Sequence, residues 1–170
     1  MYRKNDIVMY AAQGVCTITD ITRKEFNDQM MEYYVLKPVS SENALIYVPT
    51  ESESLTGKMR RVLSESEIYE IIRTLPEAQS EWIENEHVRK DQYRQILSQG
   101  DRKALIRMIK ALYLHKQKLK EQGKKMHVSD ERFFKEAEKI LYDEFALVLQ
   151  IETDQVLPFI IEQLEPEKAT

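Results

Sequence analysis

The chain has 170 residues, of which 42% are apolar and 32% charged, and it carries a net charge of −4 at pH 7. That composition predicts a folded protein of one ordinary domain or two small ones and argues against a mainly disordered chain. One cysteine and three scattered histidines exclude an internal disulfide and do not match a zinc site, and the lack of a signal-peptide core or of about 18 consecutive apolar residues predicts neither secretion nor membrane insertion.

The N-terminal part of the chain has the alternating pattern of short β-strands rich in Val, Ile, Tyr and Thr. Four or five short strands are predicted in residues 6–10, 15–21, 31–39 and 44–49. The connections between them are short, at residues 11–14, 24–29 and 40–43. Connections of this length suit hairpins, so we predict a mostly antiparallel sheet. Because so few residues bury only a thin core, a small closed or half-closed barrel is expected to protect the strand edges.

The rest of the chain has the helical period. Ser64 and Glu67 form a predicted capping box at the start of the first helix, and Pro76 closes that helix. Ser80 is predicted to begin the second helix and Gly100 to end it. Three further helices are predicted to begin near residues 101, 129 and 154. The predicted fold class is therefore α+β, with a strand-rich domain at residues 1–57 and an all-α domain at residues 62–165.

No catalytic motif is recognisable in the sequence. A G-x-S-x-G elbow, a Walker loop, a dinucleotide fingerprint and an H-E-x-x-H motif are all missing, and four glycines are too few for a phosphate-cradling loop. His87, His115 and His127 are far apart along the chain without a nearby cysteine, which favours ordinary surface or half-buried histidines. Cys16 lies in a predicted strand and is interpreted as a small buried hydrophobe. We therefore expect no enzyme, no metal, no cofactor and no small-molecule substrate.

The charges are distributed unevenly along the chain. Residues 89–125 hold twelve Lys/Arg against three Asp/Glu, a local net charge of +9. Lys103, Arg107 and Lys110 are spaced i, i+4 and i+7 on the predicted third helix, away from its apolar face. Spacing alone fits a solvated helix surface as well as a phosphate-binding one. The unopposed lysines and arginines on either side of this ridge favour phosphate binding.

Trp82 is the single tryptophan of the chain. On an ideal helix that begins at Ser80, Trp82, Arg89 and Tyr93 lie within about 40° of one direction and share a face. Trp82 can be interpreted as a core residue of the helical domain. Its mostly polar neighbours instead favour a protruding indole beside arginines, an arrangement with which minor-groove proteins brace a base step.

Four stretches of the sequence resemble the CarD/CdnL family of bacterial transcription regulators. The opening YRKNDIVMYAAQGVCTITDI is similar to the start of that family, and YYVLKPVSSENALIYVP is similar to its central hairpin. SEWIENEHVRKDQYRQILSQGD resembles its helix with a Trp, basic residues, a Leu and Gly-Asp. AEKILYDEFALVL resembles its last shared helix, with Glu144 in the acidic position of the family.

The resemblance implies a Tudor-like barrel that binds the β subunit of RNA polymerase, followed by a helical domain that contacts promoter DNA. Trp82 would be the minor-groove wedge that stabilises the open complex, in a protein that is cytoplasmic and associated with the nucleoid through RNA polymerase. The expected polymerase-binding residues are Arg23, Lys24, Tyr47 and Pro49. The expected DNA-binding residues are Trp82, Arg89, Lys90, Arg94, Lys103, Arg107, Lys110, Lys124 and Lys125.

Two departures from the family pattern accompany this resemblance. Tyr47 stands where the family has a second basic polymerase contact, and the helix around Trp82 is about one turn longer than in shorter members. The alternative function is a protein-interaction module that makes no contact with DNA, in which the basic residues are merely solvated.

Overall fold

The computed structural model describes residues 1–41 and 43–164. It has strands followed by helices and divides into two compact units, residues 1–62 and residues 63 onward. The α+β class predicted from the sequence is confirmed. The first unit contains one strand, Met59–Arg61, that lies beyond the predicted boundary at residue 57. Residue 165, the predicted end of the helical domain, lies outside the described residues.

The first unit is a five-stranded sheet in which all four pairings are antiparallel. The strands are β1 Ile7–Tyr10, β2 Gly14–Phe26, β3 Gln29–Pro38, β4 Ile46–Pro49 and β5 Met59–Arg61, in the spatial order β4-β3-β2-β1-β5. A short helix, α1 (Glu53–Thr56), separates β4 from β5. The predicted antiparallel sheet is therefore confirmed.

The hairpin between β2 and β3 is longer than the sequence predicted. Residues 24–29 were expected to form a loop, but β2 continues to Phe26 and β3 begins at Gln29. The two turn residues, Asn27 and Asp28, both have positive φ, 51° and 60°. Positive φ at both central residues is the geometry of a two-residue type I′ turn, which matches the twist of the flanking strands.

The sheet curls around a single core. Val8 of β1, Val48 of β4 and Met59 of β5 belong to the same buried cluster as Ile18 and Leu36, which a flat sheet of five strands would keep apart. Within the described residues, β4 and β5 are the two edge strands and do not pair with each other, so the sheet does not close into a ring. The half-closed form is thus what the structure has, and the Tudor-like barrel stays a prediction.

In the described residues, the second unit has five α-helices and a short 3-10 helix, Leu75–Glu77. The α-helices are α2 Glu65–Thr74, α3 Glu86–Gln99, α4 Arg102–Glu121, α5 Val128–Leu149 and α6 Thr153–Leu164. The Ser64 and Glu67 capping box is present, and Gly100 ends α3 in the left-handed conformation, both as predicted. Helix α5 packs against α2, α3, α4 and α6 and is the centre of this unit.

Helix α3 begins five residues later than predicted. Ser80 is not its N-cap; Asn85 is, and its side chain accepts a hydrogen bond from the Val88 N–H at 3.0 Å. Residues 79–85 form an irregular segment that joins the turn after α2 to α3. Trp82 lies in this segment and not on the helix, so the predicted shared helical face of Trp82, Arg89 and Tyr93 is wrong.

Candidate functional site

The outer face of the sheet in the first unit carries a cluster of aromatic and basic side chains. In the β2–β3 pairing Lys24 is opposite Met31, and in the β3–β4 pairing Tyr47 is opposite Val35. Lys24 Nζ lies 3.1 Å from the Tyr47 hydroxyl and 4.2 Å from the centroid of its ring. The Tyr47 ring also meets Tyr33 edge to face, with 6.2 Å between centroids. This cation–π and aromatic cluster is exposed to solvent at Lys24 and Tyr47.

Three of the four residues expected to bind polymerase share this face. Side chains on a strand point alternately to the two faces of the sheet. Val48 is fully buried on the inner face, so Tyr47 and Pro49 on either side of it point to the outer face. Lys24 joins them through its contact with Tyr47. Arg23 is exposed but points to the other face, because it pairs with Glu32 one position away from Lys24. The structure therefore does not bring Arg23 together with the other three residues.

The same face continues to the tip of the β2–β3 hairpin. Phe26 follows Lys24 by two residues and so lies on the same side of the sheet. It is 61% exposed, which is unusual for a phenylalanine. We call Lys24, Phe26, Tyr33, Tyr47 and Pro49 the outer-face strip.

Trp82 in the second unit lies between two other side chains and is half-buried. The imidazole of His115, on α4, is stacked on the indole with 3.6 Å between centroids and 6° between planes. The guanidinium carbon of Arg89, on α3, lies 4.5 Å from the centroid of the indole. The indole is therefore neither sealed in the core nor free in solution.

Arg89 does not face solvent as expected for a DNA contact. It is 6% exposed, and its Nε and Nη2 donate to the two carboxylate oxygens of Asp130 at 2.9 and 3.0 Å. Its Nη1 donates to the backbone carbonyls of Ile83 and Glu84 at 2.9 and 3.4 Å. Because all three guanidinium nitrogens bind groups of the protein, we correct the expectation of a phosphate contact: Arg89 positions the segment that carries Trp82.

Lys110 also binds other groups of the protein. Its Nζ donates to the carbonyls of Leu75, Pro76 and Ala78 at 2.8, 2.9 and 2.8 Å. An ammonium group has three protons, so these contacts use its full donor capacity. The expectation of a DNA contact by Lys110 is corrected in the same way, because this lysine holds the end of α2 and the following turn against α4.

The charged groups of the other expected DNA-binding residues are accessible to solvent. Lys90 pairs with Glu86 at 2.8 Å and Arg94 with Asp91 at 3.1 Å, and such surface pairs are weak enough to exchange a carboxylate for a phosphate. Four residues are exposed and have no carboxylate within salt-bridge distance in the part of the chain that the structure describes. They are Lys103, Arg107, Lys124 and Lys125.

Of these four cations, Lys103 and Arg107 precede His115 on α4, and Lys124 and Lys125 follow the end of that helix. His115, which holds the indole, follows Arg107 by eight residues, about 12 Å of helix. It precedes the end of α4 at Glu121 by six residues, about 9 Å. Lys124 and Lys125 follow that end by three and four residues. Lys118, one turn beyond His115, is exposed as well.

The sequence reasoning missed His115, Asp130 and Lys118 as site residues. His115 looked like an isolated histidine, since its partner is 33 positions away in the chain. Asp130 looked like an acidic residue in the first turn of a helix, where the dipole favours it. Lys118 is part of the basic stretch at residues 89–125. Its position near Trp82 is evident only from the contact between His115 and the indole.

Metal-ligating side chains are not clustered in the described residues. No cluster of three or more His, Cys, Asp and Glu side chains there could hold a metal ion. Cys16 is fully buried, and burial raises the pKa of its thiol to about 11, so it is protonated at neutral pH and matches the predicted structural role. Among those residues, no helix is both long and apolar enough to cross a membrane.

The first unit is thus a curled sheet with an exposed aromatic strip. Residues 2–63 match the family described as the CarD-like/TRCF RID domain. The first unit therefore belongs to this CarD-like family, the RNA-polymerase-interacting domain that is shared with transcription-repair coupling factors. The family is a regulatory class of polymerase-interacting domains and not a known class of enzyme. The comparison with curated proteins finds no match.

Proposed function

We propose that this protein is a transcription regulator that binds the β subunit of RNA polymerase with its first unit and promoter DNA with its second. The match of residues 2–63 to a polymerase-interacting domain carries the proposal. The half-buried Trp82, with exposed cations before and after its α4 partner His115 in the chain, supports the DNA contact. A polymerase partner places the protein in the cytoplasm, associated with the nucleoid through RNA polymerase.

The proposed mechanism needs no chemical step. The indole of Trp82 rests against a base step at the edge of the melted region, and Lys103, Arg107, Lys124 and Lys125 neutralise phosphates on either side. A protein that binds melted DNA more tightly than closed DNA shifts the equilibrium towards the open complex by its differential affinity, about tenfold for each 1.4 kcal/mol.

Trp82→Ala is expected to shorten the lifetime of the open complex by roughly tenfold, the effect of losing about 1.4 kcal/mol of contact between the accessible edge of the indole and the unstacked base step. The lifetime is measured by challenging preformed complexes of polymerase, promoter and the protein with a competitor. Trp82→Phe keeps an aromatic ring and is the matched control, with most of the lifetime retained. Unfolding of Trp82→Ala, or an unchanged lifetime, would refute the wedge.

Tyr47→Ala is expected to weaken binding to the polymerase by about tenfold, since a tyrosine at the centre of an interface commonly contributes more than 1 kcal/mol. It removes the ring that holds Lys24 and Tyr33 in the outer-face strip. Titration against the isolated β subunit measures the affinity. Arg23→Ala tests the other face of the sheet, where Arg23 is exposed. Equal losses for the two variants would extend the interface to that face, and an unchanged affinity of Tyr47→Ala would remove the outer-face strip from the interface.

The alternative function, a protein-interaction module without DNA contact, is favoured by one observation. Arg89 and Lys110 use their charges inside the protein, which reduces the number of phosphate contacts. Salt separates the two functions, because binding through four or more phosphates falls steeply as salt concentration rises. A protein-only module has no DNA affinity that salt could reduce.

A further inference from the structure

The segment that carries Trp82 has no regular secondary structure of its own to fix the indole. Residues 79–85 form neither helix nor strand, and a side chain in such a segment samples several rotamers unless other elements hold it. Two helices supply the contacts that the segment lacks. His115 of α4 stacks on the ring, and Arg89 of α3 lies over it.

Arg89 holds both the ring and the backbone of this segment. Its Nη1 donates to the carbonyl of Ile83, the residue directly after Trp82, at 2.9 Å. Its own position is fixed by the bidentate contact with Asp130 of α5, whose carboxylate is 2% exposed. A planar guanidinium bound in this way has little rotational freedom. Asp130, Arg89, Trp82 and His115 therefore form one continuous chain of contacts across three helices.

We propose that Asp130, Arg89 and His115 are positioning residues that hold the Trp82 indole in the orientation in which it meets DNA. This inference rests on the proposed DNA contact of Trp82 for its functional part, whereas the holding of the indole by the three side chains stands on the contacts alone. None of the three residues is assigned a contact with DNA.

The surroundings of His115 favour the uncharged imidazole in the stack. Burial lowers the pKa of His115, and the cations Arg89 on α3 and Lys118 on α4 lower it further, while Asp130 on α5 and Glu84 before α3 raise it. A folded-state pKa below the ordinary 6.5 means that the folded form resists protonation. The stabilisation from the neutral stack is present at neutral pH and is lost as the pH falls through the folded pKa. Protonation then places a second cation beside Arg89.

The fluorescence of Trp82 tests the holding of the indole without DNA, since no other tryptophan contributes to it. In the full chain, His115→Ala is expected to shift the emission to longer wavelength and to increase quenching by acrylamide. His115→Phe keeps a stacking ring and should restore both values. Unchanged emission and quenching in a folded His115→Ala protein would overturn the inference.

A pH titration of the wild-type protein is the second measurement and does not depend on the stability of a variant. An imidazolium next to an indole quenches its fluorescence, so the emission should fall with a midpoint below pH 6.5. His115→Phe should abolish this transition, and His87→Gln, a change at an exposed histidine of α3, should leave it in place. A wild-type titration without this transition would also overturn the inference.

The lifetime of the open complex connects the positioning to function. His115→Ala is expected to shorten it by about twofold to tenfold, the range set by the loss of one aromatic pair, and His115→Phe to restore it. If Trp82→Ala leaves the lifetime unchanged while His115→Ala alters the emission, the DNA contact fails and the holding of the indole stands. If Trp82→Ala shortens the lifetime and His115→Ala alters neither quantity, the positioning fails and the DNA contact stands.

Discussion

Asp130→Ala is expected to lower the free energy of unfolding of the helical unit by about 3–5 kcal/mol, because it leaves a buried guanidinium without its carboxylate. The side chains of Arg89 and Asp130 are 7% and 2% exposed, so little water can replace the lost partner. The carbonyls of Ile83 and Glu84 still accept from Nη1, but neutral acceptors do not balance the charge. Chemical denaturation followed by circular dichroism measures the loss.

The matched control for Asp130→Ala is Asp143→Ala on the same helix. Asp143 pairs with Lys139 at 3.0 Å, and the lysine is 57% exposed. Breaking such a surface pair within one helix is expected to cost at most about 0.5 kcal/mol. Similar losses in the two variants would show that the Arg89–Asp130 pair is not buried in solution.

A double variant separates the stability of the pair from its effect on Trp82. Arg89→Met combined with Asp130→Leu replaces the ion pair by apolar side chains of similar size, which often restores or exceeds the original stability. The indole nevertheless loses its cation, and the carbonyl of Ile83 loses its donor. A stable double variant with altered Trp82 emission is the expected result.

The sequence predicted the features of the fold that depend on neighbouring residues. The Ser64 and Glu67 capping box requires two side chains three positions apart. The end of α3 requires one residue that adopts the left-handed conformation, Gly100. Alternation over four to ten residues was likewise sufficient for β1 to β4. The short strand β5, at Met59–Arg61, was missed because three residues show no period, and only pairing with β1 makes them a strand.

The start of α3 was mispredicted because contacts that are distant in the chain decide it. Ser80 followed by acidic residues is a normal helix start, and the local signal at Asn85 is of equal strength. The carbonyls of Ile83 and Glu84 are bound by Arg89, and the carbonyl of Ala78 by Lys110. These side chains hold the segment in an irregular path, which the sequence could not reveal before the helices were placed.

The candidate site was predictable in its residue types and not in its pairings. Trp82 and the basic run were recognisable from composition, as were Lys24 and Tyr47 from the family resemblance. The partners of Trp82 were not, because His115 and Arg89 come from two different helices. The tertiary fold also decides which cations bind groups of the protein itself. Lys110 and Arg107 belong to the same predicted ridge, but Lys110 donates to three backbone carbonyls, whereas Arg107 is exposed.

Glu144→Ala is expected to destabilise the helical unit by an amount similar to Asp130→Ala, about 3–5 kcal/mol. Glu144 is 1% exposed, and its carboxylate oxygens accept from Arg102 Nε at 3.0 Å and from Nη2 at 2.6 Å. Oε2 also accepts from the Leu63 N–H at 3.0 Å. The substitution therefore removes the carboxylate that binds Arg102 and the acceptor of the buried Leu63 N–H, and thermal or chemical unfolding measures the cost.

Glu136→Ala, an exposed acidic position on the same helix, is the control, with a change within about 0.5 kcal/mol. Equal effects of Glu136→Ala and Glu144→Ala would contradict the buried network. Glu144 is 14 residues from Asp130, about 21 Å along α5, and it has no contact with the Trp82 segment. Under native conditions Glu144→Ala should leave the Trp82 emission unchanged, whereas Asp130→Ala should alter it. Two carboxylates of similar energetic importance on one helix are thus distinguished by their connection to the indole.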